Sequence, residues 1–124
     1  MDNENKTRYS DAELVEFKAI VEEKIKQANE QLNYYLQQLS EFGASEEAKI
    51  RSLEDGNSSS ESERLTNLAA RQRKLIRHLD SALARIESKT YGVCRETGKL
   101  ISKERLKAVP HATLSIEAKQ SKRK

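Results

Sequence analysis

Cys94 is the single cysteine of the chain, and the residues around it keep a spacing that elsewhere holds zinc. A structural zinc ribbon needs two Cys-x-x-Cys pairs roughly 15–20 residues apart, because tetrahedral zinc takes four thiolate or imidazole ligands preorganised in tight turns. Here the pairs read Cys94-x-x-Thr97 and Ser115-x-x-Ala118, one thiolate where four are usual. A mixed set of Cys94, His111, Glu96 and Glu117 has ligating atoms but not the thiolate-rich composition structural zinc prefers. The expectation is therefore a metal-free module with no cofactor. Packing of Tyr91, Val93, Leu100, Ile101, Leu106, Val109, Leu114 and Ile116 takes the place of the metal. So small a core is marginal alone and needs to dock on the rest of the chain. As a nucleophile, Cys94 would need a base to lower its thiol pKa. His78 and His111 are the only histidines, neither stands in a known catalytic pattern, and no oxyanion-hole motif accompanies them. The chain reads as a binding protein, not an enzyme.

The charged residues are the next candidates. Net charge is +3, unevenly spread: −4 over residues 1–42, −4 over 43–63, +5 over 64–89 and +6 over 95–124. Glu46, Glu47, Glu54 and Asp55 cluster in the acidic middle, and Arg64, Arg71, Arg73, Lys74, Arg77 and Arg85 crowd the basic stretch after it. Clusters of this kind are commonly solvated faces, but a lopsided distribution also suits distinct partner surfaces. The basic C-terminal segment would attract phosphate non-specifically, fading with salt. No recognition helix accompanies it, so sequence-specific DNA binding is not expected. A single cysteine excludes an internal disulfide and fits a reducing cytoplasm. No apolar run approaches the roughly 20 residues that cross a bilayer, and the polar start Met1-Asp2-Asn3-Glu4-Asn5-Lys6 is unlike a signal peptide. The reading is a soluble cytoplasmic protein with no membrane partner.

Two helices must position these groups. Charged and hydrophobic residues each make up 35%, with only one Pro and four Gly, a profile of long solvated helices. Residues 1–9 read as a disordered lead-in. Ser10-Asp11-Ala12-Glu13 is a capping box. Apolar residues then recur in steps of three and four at Leu14, Val21, Ile25, Ala28, Leu32, Tyr35, Leu39 and Phe42, with Lys18 the charged intruder and Gly43 the stop. Phe17, Ile20, Tyr34 and Leu36 broaden the stripe. A second seam runs Leu65, Leu68, Gln72, Leu75, Leu79, Ala82 and Ile86, preceded by a capping box at Ser60-Glu61-Ser62-Glu63. Two helices of about 30 and about 28 residues, each ~40–45 Å long, favour an antiparallel coiled-coil hairpin over 10–89, with its tip connector at 43–60. Within the connector, Ser45 to Asp55 reads as a short helix. A small zinc-ribbon-like module follows over 90–119: a hairpin across 91–102, a helical turn from Ser102 broken by Pro110, and a last helical segment from Thr113 to about Lys119. Residues 120–124 form a basic tail.

The module closely resembles the C-terminal part of the DksA/TraR family of RNA-polymerase-binding transcription regulators. The resemblance lies in Tyr91-Gly92-x-Cys94, in Thr97-Gly98 with a following apolar pair, in Arg105-Leu106-x-Ala108-x-Pro110 and in Ala112-Thr113-Leu114-x-Ile116. It extends over roughly residues 10–120 and is densest at 71–119. The resemblance implies RNA polymerase as partner and a coiled coil inserted into its secondary channel, with an acidic tip near the catalytic centre. It makes Glu54, Asp55, Glu46 and Glu47 the tip acids. The family's tip pattern is Asp-x-x-Asp-x-Ala, and the ungapped equivalents here are Arg51, Glu54 and Gly56, so one acid of the pattern persists with Asp55 beside it. It marks Arg71 and Arg73 as contacts to an acidic channel rim. Some members bind the alarmone ppGpp, and the matching positions here are Leu75, His78, Val109 and Lys119. The family's Arg is Val109, which implies weak or absent ppGpp binding. Two other readings fit the residues by themselves: a coiled-coil adaptor or oligomerisation protein, and a small non-specific nucleic-acid binder. The hairpin reading favours a monomer, each seam having the other as its partner.

Overall fold

The structure, a computed structural model, describes residues 7–42 and 57–122, and side chains in the second stretch from residue 60 to 121. Four helices form among these residues: α1 (Asp11–Phe42), α2 (Asn57–Glu87), α3 (Lys103–Ala108) and α4 (Ile116–Lys122). The chain is mainly α, an antiparallel helical hairpin with a small C-terminal module. It divides into two compact units. One holds the N-terminal segment to Lys24 together with His78–Lys124, and the other holds Ile25–Arg77. The start of α1 thus shares a unit with the end of α2, and the end of α1 with the start of α2, as antiparallel pairing requires.

The N-terminus of α1 is set by its capping box. The Glu13 N–H donates to Ser10 Oγ at 3.2 Å, and the Ser10 N–H donates to Glu13 Oε1 at 2.9 Å, so two backbone donors that the first turn cannot pair internally are satisfied. In the first unit the buried face of α1 is Leu14, Phe17 and Val21, and that of α2 is Leu79, Ala82 and Ile86. Phe17, not the position of Lys18, carries the seam. Lys18 stays exposed, and the 3–4 stepping runs 14, 17, 21 without a charged break. In the second unit Ala28, Leu65 and Ala69 are buried. Ile25, Leu32, Tyr35, Leu39, Leu68, Leu75 and Ile76 are half-buried, the thin core of a pair of helices.

Several boundaries differ from the sequence expectation. α2 begins at Asn57, so residues 57–60 are helix and not connector. The capping box at Ser60 does not form; Ser60–Glu63 lie within the helix, and Glu61 instead takes the Arg64 guanidinium at 2.6 and 3.0 Å. α4 begins at Ile116, three residues later than expected, because Ser115 caps it, and it runs through Ser121 and Lys122 of the expected tail. The stretch 91–102 forms a single antiparallel bridge, Val93 to Leu100, and the described residues contain no named strand. The expected connector helix from Ser45 to Asp55 lies outside the described residues, as do residues 1–6.

The expected lead-in is not free along its length. Tyr9 is 5% exposed, and its hydroxyl donates to the carbonyl of Ile101. Its ring meets Phe17 edge-on at 5.2 Å, and Phe17 in turn meets Tyr91 at 5.2 Å. Ion pairs flank this strap: Asp11 joins Arg8 and Lys89, and Glu13 joins Lys103 at 2.7 Å.

Candidate functional site

α2 ends in a turn that aims the chain into the module. The Lys89 N–H donates to Ile86 O, those of Thr90 and Tyr91 to Arg85 O, and Lys89 takes φ 64, the left-handed residue that commonly closes a helix. Tyr91 is then fully buried. Its hydroxyl donates to Pro110 O at 2.8 Å, and burial pushes its phenol well above the usual range. Gly92 follows with φ 79. A Cβ there would lie 2.7 Å from two atoms of the Tyr9 ring, so both the backbone and the close approach require glycine.

The four degenerate zinc positions come together. The Cys94 N–H donates to Lys99 O and the Gly98 N–H to Cys94 O, both at 2.8 Å, which closes the first turn with Gly98 at φ 72. The Arg95 N–H donates to Thr113 O at 2.9 Å and ties the first turn to the second. Cys94 is 0% exposed, and its Sγ accepts the Ser115 N–H at 3.4 Å. Burial pushes the thiol up, but hydrogen bonds from the Thr97 side chain and from the backbone N–H groups of Ser115, Thr97 and Glu96 outweigh it and bring the pKa to about 6. Thr97 Oγ1 accepts from the Lys99 N–H, and Ser115 Oγ accepts from the Ala118 N–H, each at 3.2 Å. The Ala118 side chain is buried. Two ligand positions have thus become hydrogen-bond acceptors and one a methyl. This donor set does not fit zinc. The alternative set of Cys94, His111, Glu96 and Glu117 is not assembled either: among the described residues no group of three or more His, Cys, Asp or Glu stands close enough to hold a metal. Neither imidazole is among the partners of Cys94 Sγ, whose hydrogen bonds come from residues 96, 97 and 115.

Of the eight residues expected to fill the module, Tyr91, Ile101 and Leu106 are fully buried, whereas Ile116 is 48% exposed. Cys94, Ala112 and Ala118 complete the core from inside the module, and Tyr9 and Phe17 close it from the N-terminal side.

A second feature of the same unit is a cleft of about 470 Å³ lined by the end of α2 and the module. His78, Val109 and Lys119, three of the four ppGpp-matching positions, line it. Leu75 does not; it belongs to the other unit. Arg85, Arg95 and Arg105 line the cleft too, and among the described residues no carboxylate does. Arg85 Nη2 donates to His111 O at 3.4 Å and Arg105 Nε to Leu114 O at 3.1 Å, so both guanidinium groups hold the segment after Pro110. Burial lowers the pKa of Arg85, which is half-buried. Sequence reasoning gave no role to Arg95, met Arg105 only as a motif residue, and left Tyr9 in the lead-in. Their partners are carbonyls or rings reached only after the chain folds back, and no periodicity announces them.

Arg71 and Arg73 stand exposed on α2 in the second unit. Glu46, Glu47, Glu54 and Asp55, with Arg51 and Gly56, lie outside the described residues.

Comparison with known proteins places this geometry. The profile of the prokaryotic dksA/traR C4-type zinc finger matches residues 89–124. The chain is 50% identical over 64 residues to the RNA polymerase-binding transcription factor DksA of Caulobacter vibrioides, covering 50% of this chain and 45% of that protein. It is 40% identical over 58 residues to general stress protein 16O of Bacillus subtilis, covering 45% of this chain and 36% of the relative. The chain spans about half the length, or less, of the curated relatives it matches. The solved structure of transcription factor DksA2 from Pseudomonas aeruginosa is similar with a TM-score of 0.79 at 28% identity, over 90% of this chain and 84% of that one.

Proposed function

We propose that this chain, which belongs to the DksA/TraR family, regulates transcription in the bacterial cytoplasm by binding RNA polymerase, with its hairpin in the secondary channel and no catalysis of its own. The observation that carries this reading is the joint match: an RNA polymerase-binding relative at 50% identity and a transcription-factor fold over 90% of the chain. The physical arrangement supports it. α1 and α2 both carry exposed charged residues, and within the first unit the module packs where α1 starts and α2 finishes. Arg71 and Arg73 are exposed and available to an acidic rim. The module works without zinc, its turns held by the hydrogen bonds around Cys94 and by the Tyr9 strap. ppGpp binding is weak at most, because the arginine of the family pattern is Val109 although Lys119 is kept.

The test is a pull-down with the full chain from a bacterial lysate, followed by transcription with purified polymerase. Recovery of polymerase subunits and a changed yield of initiation products are expected. Recovery of salt-sensitive nucleic acid, or of an unrelated protein with no effect on transcription, would sink the reading.

A further inference from the structure

His111 presents an unexplained feature of the first unit. Its Nδ1 is buried and has no hydrogen-bond partner, a condition that well-packed proteins avoid because an unpaired polar atom loses water and gains nothing. Its ring faces that of His78, with centroids 5.5 Å apart and planes tilted by 48°. The groups around the pair carry one sign of charge. Arg85 lies two helical turns after His78 on α2, Arg105 comes from α3, Lys119 from α4, and Arg95 from the turn after Cys94. Tyr91 is hydrogen-bonded to the carbonyl of the preceding residue, Pro110. Among the described residues no carboxylate lines the cleft. A metal ion shared by the two imidazoles would meet this same cationic wall, so a cation site is disfavoured.

Such a place favours the neutral imidazole over the imidazolium. We propose that the His78–His111 pair is an acid-sensitive latch, in which protonation of His111 loosens the 109–114 segment from α2 and so opens the cleft side of the module. That segment makes the contacts at stake. Arg85 and Arg105 donate to the carbonyls of His111 and Leu114, the Ala112 N–H donates to Val109 O, and the Arg95 N–H donates to Thr113 O. Burial first, and then the charges of His78, Arg85 and Arg105, hold the His111 pKa below the ordinary histidine range. The folded value lies below the unfolded one. The contribution of neutral His111 is therefore fully present above the unfolded pKa of roughly 6.5 and is lost as pH falls through the folded value. The latch goes beyond the polymerase reading and needs no partner.

The experiment follows the full chain by NMR between about pH 7.5 and about pH 5, the range in which histidine changes charge, in a buffer without phosphate. The His111 ring signals should titrate below an ordinary histidine. The amides of Ala112 and Arg95 should lose protection several-fold toward acid, after correction for intrinsic exchange, while that of Val21 keeps its protection. His111→Gln should remove the acid loss. A His111 that titrates at or above the ordinary value, or a His111→Gln variant with the same acid loss, overturns the latch. Should that variant fail to fold, His78→Gln decides: without the facing imidazole the His111 midpoint should rise and the acid loss shrink, and an unmoved midpoint overturns the pairing.

Discussion

Tyr9 and Gly92 hold each other in place: the ring lies where a Cβ would be, and the hydroxyl reaches the carbonyl of Ile101 across the module. Two substitutions separate these effects. Tyr9→Phe keeps the ring and removes one buried hydrogen bond, leaving the Ile101 carbonyl short of a partner, at a cost of about 1–2 kcal/mol. Gly92→Ala meets both a left-handed backbone and the ring, and should cost more than about 1 kcal/mol. Denaturant titration of both variants checks these two costs. Cys94 sets a second expectation. Protein purified without chelator should carry well under one zinc per chain by elemental analysis, and EDTA should leave its unfolding unchanged. A stoichiometric zinc whose removal melts residues 91–119 would refute this. The thiol also gives a pH signature. With a folded pKa of about 6, below the free value near 8.5, its stabilisation is complete above about 8.5 and absent below about 6. Stability should therefore climb across that window in the wild type and not in Cys94→Ala. Because the sulfur is 0% exposed, alkylation should stay slow until the module opens.

At the scale of elements, the hairpin is held by few large side chains. Leu79 is 1% exposed and Val21 0%, on facing helices of one unit. Leu79→Asp would bury an unpaired carboxylate, and a group of this kind either shifts its titration or unfolds its surroundings. The variant should lose its helical circular dichroism at room temperature, and Leu79→Ala should cost about 2–5 kcal/mol. The wild type should sediment as a monomer, because each seam already has its partner. A stable dimer at low micromolar concentration would indicate that the helices pair between chains. α4 shows how an element can inherit a lost metal site: Ser115 stands at a ligand position, and its hydroxyl now caps the helix through the Ala118 N–H.

For the whole molecule, charge is divided along the chain. Residues 1–63 carry −8 and residues 64–124 carry +11, so opposite surfaces of a partner can be met by different parts of one chain. If the chain regulates polymerase as proposed, neutralising Glu54 and Asp55 together should leave affinity nearly unchanged and abolish the effect on transcription. Reversing Arg71 and Arg73 to Glu should weaken binding, more at low salt than at high, because exposed pairs are screened. Affinity and transcription assays over a salt series measure both. Full regulation by the double tip variant would show that the acids of this divergent tip have no role.

The sequence alone determined the helical hairpin, the capping box at Ser10 and the loss of the zinc ligands. These are local facts: a 3–4 spacing of apolar side chains, a hydroxyl three residues before a carboxylate, and three non-thiols where thiols would stand. It also carried the family resemblance, through motifs of fixed spacing between Tyr91 and Ile116. What it left open depends on contacts far apart in the chain. Tyr9 looked like part of a polar lead-in because its partners, Gly92 and Ile101, lie more than eighty residues away. Phe17 displaced Lys18 from the seam because the module needed an aromatic ring against Tyr91, a demand no helix period expresses. The module core was expected to include Ile116, but capping by Ser115 starts α4 there and leaves Ile116 half in solvent while Ala118 turns inward. The facing of His78 and His111 within a wall of arginines was likewise settled only in three dimensions. Charges that are scattered along a chain become a single field only when folding brings them around one desolvated group.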